Sequence, residues 1–571
     1  MKNTKIFLSG LSLMTGVFFA CQPKKQAENN QTISQIICRT QLTDKDWYSS
    51  GRKAPLFEGL GNVHYPITTQ SKEAQKYFDQ GLMLAMGFNH AESARSFYQA
   101  TKIDSTCAMA FWGFAFVLGP NYNAGMEPDN YARAYKAVKQ AEKLSGSCTA
   151  KEKMLIRALS KRYPPGPVED RKPYDVAYSE VMKNIYRQFP NDENVAALYV
   201  ESVMDLHPWD LWEKNGKPKP WTIDILAELE KLKVRFPKHI GIQHYYIHVI
   251  EASPTPEKGL ASAAILTSLA PNASHLVHMP SHIYIHTGNY HEASLANILA
   301  VKVDSTYLKG CYAQGVFPLM YFPHNYHLLA ATATMEGNQK WAMLAANKMA
   351  EYSRKNLMPD AAWSTLQHYY TIRYHVALKF SLWDEIIKMS NTDSVKLKYP
   401  TAIRHYAMGR VFVAKNQVKK AKLALSELEK ITADPEISKL TSAGINPLNA
   451  VLEIASRVLK AEIASKEGDV SMSEKWLREA VALEDKLNYN EPPDWFFSVR
   501  HDLGNLLLNE KKYDEAEKVL LADLNIFPRN IWALKSLYKT QVSKGETEGA
   551  RQTKIALNLA GKWADKHVKV L

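Results

Sequence analysis

The chain has 571 residues, about three to four times the usual size of one domain, which predicts several domains or one long repeat array. This length excludes a mini-protein, and 46% of hydrophobic residues with a mean hydropathy of −0.32 supply a core while excluding a multispan membrane protein. The net charge is +13, but the basic residues are spread along the chain, and the sequence lacks zinc-finger spacing, an RNA-binding aromatic signature and a basic arm. We therefore expect solvated helix faces and no nucleic-acid partner.

The start of the chain has the organisation of a secretory signal. Lys2 and Lys5 supply positive charge, an apolar stretch follows over residues 6–19, and Ala20 precedes Cys21. The apolar stretch is too short to span a bilayer comfortably. A small residue directly before a cysteine in this context resembles the processing box of bacterial lipoproteins, in which that cysteine is lipidated and becomes the first residue of the mature chain.

The lipoprotein resemblance implies a protein of the bacterial cell envelope that is anchored to a membrane and faces outside the cytoplasm. Residues 1–21 are then the signal peptide, with Cys21 as the lipidation site. Residues 22–70 form a tether and an N-terminal extension, because their first part is polar and has no helical periodicity. Phe18 departs from the leucine that is usual three positions before the cysteine, so plain secretion and an uncleaved anchor remain alternatives.

Four further cysteines, Cys38, Cys107, Cys148 and Cys311, would lie in a compartment where thiols oxidise. Cys107 and Cys148 each fall in a short segment between predicted helices, so these two are candidates for one bridge. Four cysteines allow three connectivities, however, and the sequence does not choose among them.

From residue 71 onward the chain shows helical periodicity and internal similarity at a period of about 34 residues. In the clearest unit, residues 74–105, Gly81 is the eighth residue, Phe97 the twenty-fourth and Ala100 the twenty-seventh. These are the positions at which a tetratricopeptide repeat (TPR) needs a small residue, a bulky residue and another small residue. The chain thus resembles TPR proteins, which implies an all-α, TPR-type α-solenoid over residues 71–571.

The TPR resemblance implies a right-handed superhelix of antiparallel helix pairs, of which roughly ten to fourteen would fit this length. Segments such as FNHAESARSFYQA, HYYIHVIEAS and HLVHMPSHIY further resemble a bacterial family of TPR lipoproteins, a resemblance that brings no assigned activity. Three stretches break the period, near residues 119–127, 207–221 and 309–323. They mix turn residues with aromatic ones and are expected to be ordered loops, which either border a binding surface or pack outside the stack.

The histidines are unevenly distributed, because eight of the 18 lie between His239 and His291. In a TPR unit, positions 2, 5, 9, 12 and 13 of the first helix face the groove, as the resemblance implies. We take Gly288 as position 15 of its repeat and number the neighbouring repeats in the same way. This numbering places ten histidines on the groove side of up to four consecutive first helices. These are His244, His248, His275, His278, His282, His286, His324, His327, His368 and His375.

Neutral imidazole is a good ligand for Zn, Cu, Fe and Ni, whereas a lone carboxylate suits Ca or Mg poorly. We predict a site for a transition metal (Zn, Cu or Fe), whose most economical ligand set is His244, His248, His278 and His282. Glu251 would be a fifth ligand or a base for a bound water.

The other groove histidines would form a ligand-binding surface. These are His275, His286, His324, His327, His368 and His375. Two other interpretations remain open, namely a metal-free, pH-responsive pocket for an anionic or aromatic ligand, and no site at all.

Pro280 lies inside the histidine-bearing helix and removes a backbone donor there. Either the helix bends at this proline, which would re-aim His278 relative to His282, or the helix begins near Pro280 and leaves His275 and His278 on the preceding loop.

The sequence therefore predicts an extracytoplasmic, lipid-anchored TPR protein that binds a transition metal, or a metal-dependent ligand, in a histidine-rich concave groove. No nucleotide-binding, hydrolase, iron–sulfur or haem-attachment motif occurs, so any catalysis would centre on the histidines, and the sequence leaves open whether there is any. The alternative is a metal-free TPR scaffold whose groove binds peptides or protein partners.

Overall fold

The computed structural model describes residues 43–310, 315, 317–389 and 397–569. The α-helices of this part are α1 Lys72–Met86, α2 His90–Ile103, α3 Ala108–Val117, α4 Asn130–Leu144, α5 Ala150–Arg162, α6 Lys172–Gln188, α7 Glu193–Met204, α8 Pro220–Arg235, α9 Ile240–Ile250, α10 Leu260–Leu269, α11 Ser274–His278, α12 Pro280–His286, α13 Tyr290–Gly310, α14 Phe322–Met335, α15 Gln339–Tyr352, α16 Thr365–Lys379, α17 Trp383–Lys388, α18 Lys398–Ala414, α19 Val418–Thr432, α20 Leu448–Lys466, α21 Val470–Glu484, α22 Arg500–Asn509, α23 Tyr513–Ile526, α24 Ile531–Lys544, α25 Thr547–Ala560 and α26 Lys566–Lys569. Two short strands, β1 Thr441–Ser442 and β2 Asn446–Pro447, form an antiparallel hairpin in which Thr441 pairs with Pro447.

The helices α1 to α25 form twelve consecutive pairs when α11 and α12 are taken as one helix. Each helix packs mainly on its neighbours in sequence, and the first helices of several successive pairs also contact one another, as α1, α3 and α5 do. The first helices form an inner layer, since every residue of α9 is buried whereas most of its partner α10 is not. This arrangement confirms the predicted all-α, TPR-type solenoid.

Small residues let the paired helices approach closely, as the repeat pattern predicts. A Cβ atom on Gly81 of α1 would lie 2.8 Å from the Phe97 ring of α2. The same relationship recurs near the end of the chain, where a Cβ on Gly504 would lie 2.7 Å from the Leu520 side chain. Both glycines therefore mark helix contacts that a larger residue would force apart.

The tight turn inside a pair requires left-handed backbone. Gly288 and Gly337 occupy this turn with φ of +71° and +81°. Glycine adopts this conformation without a steric penalty. In the first repeat the corresponding residue is Phe88, with φ of 54°, and Ser381, Asn416 and Lys511 hold the same turn in later repeats with φ of 56° to 60°.

The helix around Pro280 is interrupted at the proline rather than started by it. The short helix α11 ends at His278, α12 begins at Pro280, and Met279 between them has helical angles of φ −50° and ψ −37°. His275 and His278 therefore lie on a helix and not on a loop, which agrees with the first of the two expectations for this segment.

The solenoid closes back on itself, because its last repeats pack against its middle. The Asp565 amide donates to the Gly337 carbonyl at 3.0 Å, and the Trp532 indole donates to the Thr334 carbonyl at 2.8 Å. Residues 485–499, which connect α21 to α22, are brought against the inner helices by this closure. Glu491 and Asp494 in this loop are buried.

In the N-terminal extension, Trp47 and Tyr65 are buried against the first repeats. The predicted signal peptide with Cys21, and also Cys38 and Cys311, lie outside the described residues. Cys107 and Cys148 are buried free thiols, so the bridge considered between them is not formed. Among the described residues, no helix combines the length and the apolarity that crossing a bilayer requires.

Candidate metal centre

Six of the ten predicted groove histidines come together at the inner face of four helices. Neighbouring rings have centroids 4.8 to 5.0 Å apart in the pairs His244–His248, His244–His275, His278–His282 and His278–His324. Five of the six are buried, and His324 is partly exposed. We call this group the histidine cluster. It consists of His244 and His248 of α9, His275 and His278 of α11, His282 of α12, and His324 of α14.

The repeat architecture explains why the histidines converge. His244 and His248 are one helical turn apart, as are His278 and His282, so each pair lies on one helix face. The helices that carry them are first helices of their pairs and thus belong to the inner layer. The registers predicted from Gly288 and Gly337 agree with the observed starts of α11 at Ser274 and of α14 at Phe322, the latter within one residue.

The cluster divides into two sets of three. In one set a ring nitrogen of each of His244, His248 and His275 lies within 4.8 Å of the others, and the same holds for His278, His282 and His324 in the second set. The sequence-predicted metal set of four histidines is thus split between the two. His275 and His324, assigned from the sequence to the wider groove, each complete one set.

Hydrogen bonds fix the ring orientation in both sets. Nδ1 of His244 donates to the Met86 carbonyl at 2.7 Å, and Nδ1 of His278 donates to Asn297 Oδ1 at 2.7 Å. Asn297 is itself held by donating to the Ala293 carbonyl at 2.9 Å. With Nδ1 protonated, Nε2 of each neutral ring carries a lone pair. These two Nε2 atoms point at other histidines of the same set.

Glu251 lies on the Nδ1 side of two of the clustered rings. Its Oε1 is 3.4 Å from Nδ1 of His248, and its Oε2 is 3.3 Å from Nδ1 of His282. Nε2 of His248 is buried and has no hydrogen-bond partner in the described structure. The carboxylate thus hydrogen-bonds Nδ1 of His248, whereas its Oε2 and Nδ1 of His282 lie close without a hydrogen bond. Its place on the Nδ1 side of both rings favours a positioning role over the predicted roles of fifth ligand or base.

Burial sets the charge state of the cluster. It lowers the pKa of His244 to about 3 and that of His278 to about 4, and it holds the pKa of the other four rings well below the usual value. The same loss of solvation, together with the charge of Glu491, raises the pKa of Glu251 well above its usual value. The rings are therefore neutral at physiological pH, which is the form of imidazole that binds metals.

The three predicted insertions all reach the cluster. Tyr122 and Trp209 place their ring centroids 5.2 and 5.7 Å from that of His248, and Tyr321 lies 5.3 Å from His275. They come from the insertions near residues 119–127, 207–221 and 309–323, in that order. Phe88 adds a fourth aromatic wall, 4.6 Å from His244. The sequence did not identify Phe88, although a bulky aromatic at a turn where Gly288 and Gly337 stand in two other repeats is a detectable signal.

A cavity of ≈ 540 Å³ opens onto the cluster. His248 and His275 of one set and His282 and His324 of the other line its wall, as do Met320, Tyr321 and Glu491. Histidines of both sets therefore face the same cavity.

The other four predicted histidines do not join the cluster. His286 hydrogen-bonds Glu491 and Tyr489, and His327 stacks on Phe496 at a centroid distance of 5.2 Å. His368 contacts the Tyr399 hydroxyl at 2.9 Å, with Asp494 Oδ1 at 3.7 Å, and His375 packs edge-on against Trp495. All four contact residues of the loop 485–499, for which the sequence predicted no role at the site.

No protein-family model matches the chain, and no curated protein matches it. Among solved structures, the human IFIT1 dimer with PPP-AAAA is 13% identical, covers 86% of this chain and 91% of its own, and has a TM-score of 0.30. The Cut9 and Hcn1 hetero-tetramer is 13% identical, covers 92% of this chain and 79% of its own, and has a TM-score of 0.29. The TPR domain of P58(IPK) is 10% identical, covers 83% of this chain and 99% of its own, and has a TM-score of 0.20. Similarities this distant transfer no ligand, partner or activity to this chain.

Proposed function

We propose that this chain is an extracytoplasmic, lipid-anchored TPR protein that binds a transition-metal ion in its histidine cluster. The observation that carries the proposal is the convergence of six imidazoles, five of them buried, on one inner surface. Buried polar nitrogens need partners, and Nε2 of His248 has none within the described residues. An ion at this place satisfies that atom and the lone pairs of His244 and His278.

The donor chemistry selects the class of metal. The cluster offers nitrogen ligands only, and its one carboxylate faces the Nδ1 side of the rings. Imidazole sets of this kind suit Zn, Cu, Fe or Ni, whereas Ca and Mg require several oxygen ligands. Nδ1–H of His244 donates to a backbone carbonyl oxygen, and Nδ1–H of His278 donates to an amide oxygen. These hydrogen bonds resemble the outer-shell bonds that orient metal-binding histidines.

Elemental analysis tests the metal proposal. The chain, purified without a histidine tag, should contain about one equivalent or more of Zn, Cu, Fe or Ni, or take it up after chelation. Replacing His248 and His282 together should abolish uptake. His291→Ala is the matched control, because His291 stacks on Trp563 outside the cluster and should leave uptake unchanged. A metal-free protein that also fails to take up metal contradicts the proposal.

The anchor is a separate part of the proposal and rests on the sequence around Cys21. Cys21→Ser should release the chain from the membrane fraction of the producing bacterium, while the wild-type chain stays with it. Mass spectrometry of the mature N-terminus should find a lipid-modified cysteine. Membrane retention of the variant contradicts lipidation and leaves the metal proposal untouched.

A metal-free scaffold for peptides or protein partners is the second candidate function. It is favoured by a further cavity of ≈ 580 Å³, which His375, Lys379 and Arg410 line, beyond the cavity at the cluster. His327 lines the cavity at the cluster and His375 lines the further cavity, so each cavity has a predicted groove histidine in its wall. This function would be supported instead by a peptide whose affinity is the same with and without metal. Its affinity should also be the same for wild type and for the variant in which His248 and His282 are both replaced.

A further inference from the structure

The six histidines of the cluster form two complete ligand sets rather than one enlarged set. Each set has three imidazoles whose ring nitrogens lie within 4.8 Å of one another. Three protein ligands with one open position are the usual donor arrangement of a reactive metal site. We propose that the cluster is a two-ion centre, with one ion on His244, His248 and His275 and the other on His278, His282 and His324. This inference rests on the proposed metal binding.

Each set contains a pair of nitrogens at the spacing that one ion requires. Nε2 of His244 lies 3.2 Å from Nε2 of His275, and Nε2 of His278 lies 2.9 Å from Nε2 of His282. Two imidazole nitrogens at about 2.0–2.1 Å from a tetrahedral ion are about 3.3 Å apart. The two pairs belong to different sets, so each ion has its own chelating pair.

The sets lie side by side and share one carboxylate. Ring centroids across the boundary are 6.3 Å apart for His248 and His282, and 5.9 Å apart for His275 and His278. Glu251 stands on this boundary, with Oε1 towards His248 of one set and Oε2 towards His282 of the other. One buried carboxyl group therefore borders a ligand of each ion and, when the cations hold it ionised, supplies a negative charge to both.

The cavity determines what binds between the ions. Two neighbouring dications repel strongly at low dielectric, and Glu251 compensates only one charge, so the pair requires a bridging anion. The ≈ 540 Å³ cavity meets both sets, and Trp209, Met320 and Tyr321 give it apolar walls. The centre therefore takes a small molecule with an anionic oxygen donor and an aromatic or apolar body, which reaches both ions at once.

Metal stoichiometry separates this inference from the proposed function. The chelated wild-type chain, titrated with Zn²⁺ or Cu²⁺, should bind two equivalents. His275→Ala and His324→Ala should each bind one equivalent, and the combined variant should bind none tightly. Binding of one equivalent by wild type, abolished by either variant, overturns the two-ion centre while metal binding stands. Binding of none overturns both.

A second measurement covers the case in which a variant fails to fold. Anomalous diffraction from crystals of the unmodified chain soaked in Zn²⁺ should show two peaks, one in each set, and a single peak overturns the inference. Benzoate, a carboxylate with an aromatic body, should change the visible spectrum of the Cu²⁺-loaded wild-type chain and have at least tenfold weaker effect on each single-set variant. An equal spectral change in the wild-type chain and in both single-set variants would show that benzoate does not bridge the ions.

Discussion

Oε2 of Glu251 lies 3.3 Å from Nδ1 of His282, although the two residues are separated by a whole helix of the solenoid. The carboxylate is 1% exposed and is also the neighbour of His248 Nδ1. Only the contact with His248 Nδ1 is a hydrogen bond, and a carboxylate that accepts from Nδ1 fixes the ring and raises the basicity of Nε2. Removal of such an outer-shell partner usually costs about 10–100-fold in metal affinity.

We therefore expect Glu251→Gln to weaken metal binding by about 10–100-fold without removing a ligand. Competition with a chelator of known affinity measures the change, and circular dichroism of the metal-free chain should be unaltered. Glu336→Gln is a matched control, because Glu336 is equally buried beside a histidine, His291, outside the cluster. Complete loss of binding in E251Q would show instead that Glu251 is itself a ligand.

Gly81 tests the close helix contact on which the repeat depends. In Gly81→Ala the new Cβ would lie 2.8 Å from the Phe97 ring, and Phe97 is fully buried. Overpacking of this kind costs about 1–3 kcal/mol, against which the better helix propensity of alanine recovers up to about 1 kcal/mol. The melting temperature should fall. Gly146→Ala, where nothing lies within 4 Å, should leave it nearly unchanged, and equal melting of the two variants would contradict this packing role.

The local features of the fold and of the cluster could be read from the sequence. Gly81, Phe97 and Gly288 define the repeat register, and that register alone places His275, His278 and His282 on one face of an inner helix. These features depend on helical periodicity, which is a local property of the chain. The convergence of α9 with α11 and α12 follows because neighbouring repeats stack in sequence order.

What the sequence could not provide depends on distant contacts and on side-chain rotation. Glu491 reaches His286 only because the solenoid curls until its last repeats touch its middle, and the curvature is a sum of small rotations that no short motif encodes. The division of the cluster into two sets depends on which nitrogen each ring presents. The Met86 carbonyl, which fixes His244, is a backbone group and has no signature in the residue types.

Gly288 tests the closure of the solenoid. In Gly288→Ala the Cβ would lie 2.3 Å from the Pro528 carbonyl oxygen, in a residue with φ of +71°. Gly468→Ala is the matched control, because Gly468 has φ of +87° and a Cβ there would have nothing within 4 Å. This variant therefore loses about 1 kcal/mol of stability through its left-handed backbone but makes no clash. Only G288A should loosen the last repeats, which hydrogen exchange of α24 and α25 measures. Unchanged exchange there would contradict the closure.

Asp304 predicts how stability depends on pH. It is fully buried between two neutral groups, the Ser274 hydroxyl and the Asn325 amide, which donates to Oδ2 at 2.7 Å. Burial raises the pKa of Asp304 to about 7, above the value near 4 in the unfolded chain. The folded state thus holds a proton that the unfolded state has lost. Its contribution to stability is complete below about pH 4 and disappears as the pH rises through 7.

Asp304→Asn should remove this dependence. The asparagine amide can donate to the Ser274 hydroxyl while its oxygen accepts from Asn325, so it mimics the protonated carboxyl. In EDTA, urea unfolding should find wild type and D304N similarly stable at pH 4. At pH 8 the variant should be more stable, by a difference that grows by up to about 1.4 kcal/mol per pH unit from about pH 4 and levels off above the folded-state pKa of about 7. A variant that is less stable at both pH values would mean that Asp304 is ionised in the folded chain and stabilised by a positive partner.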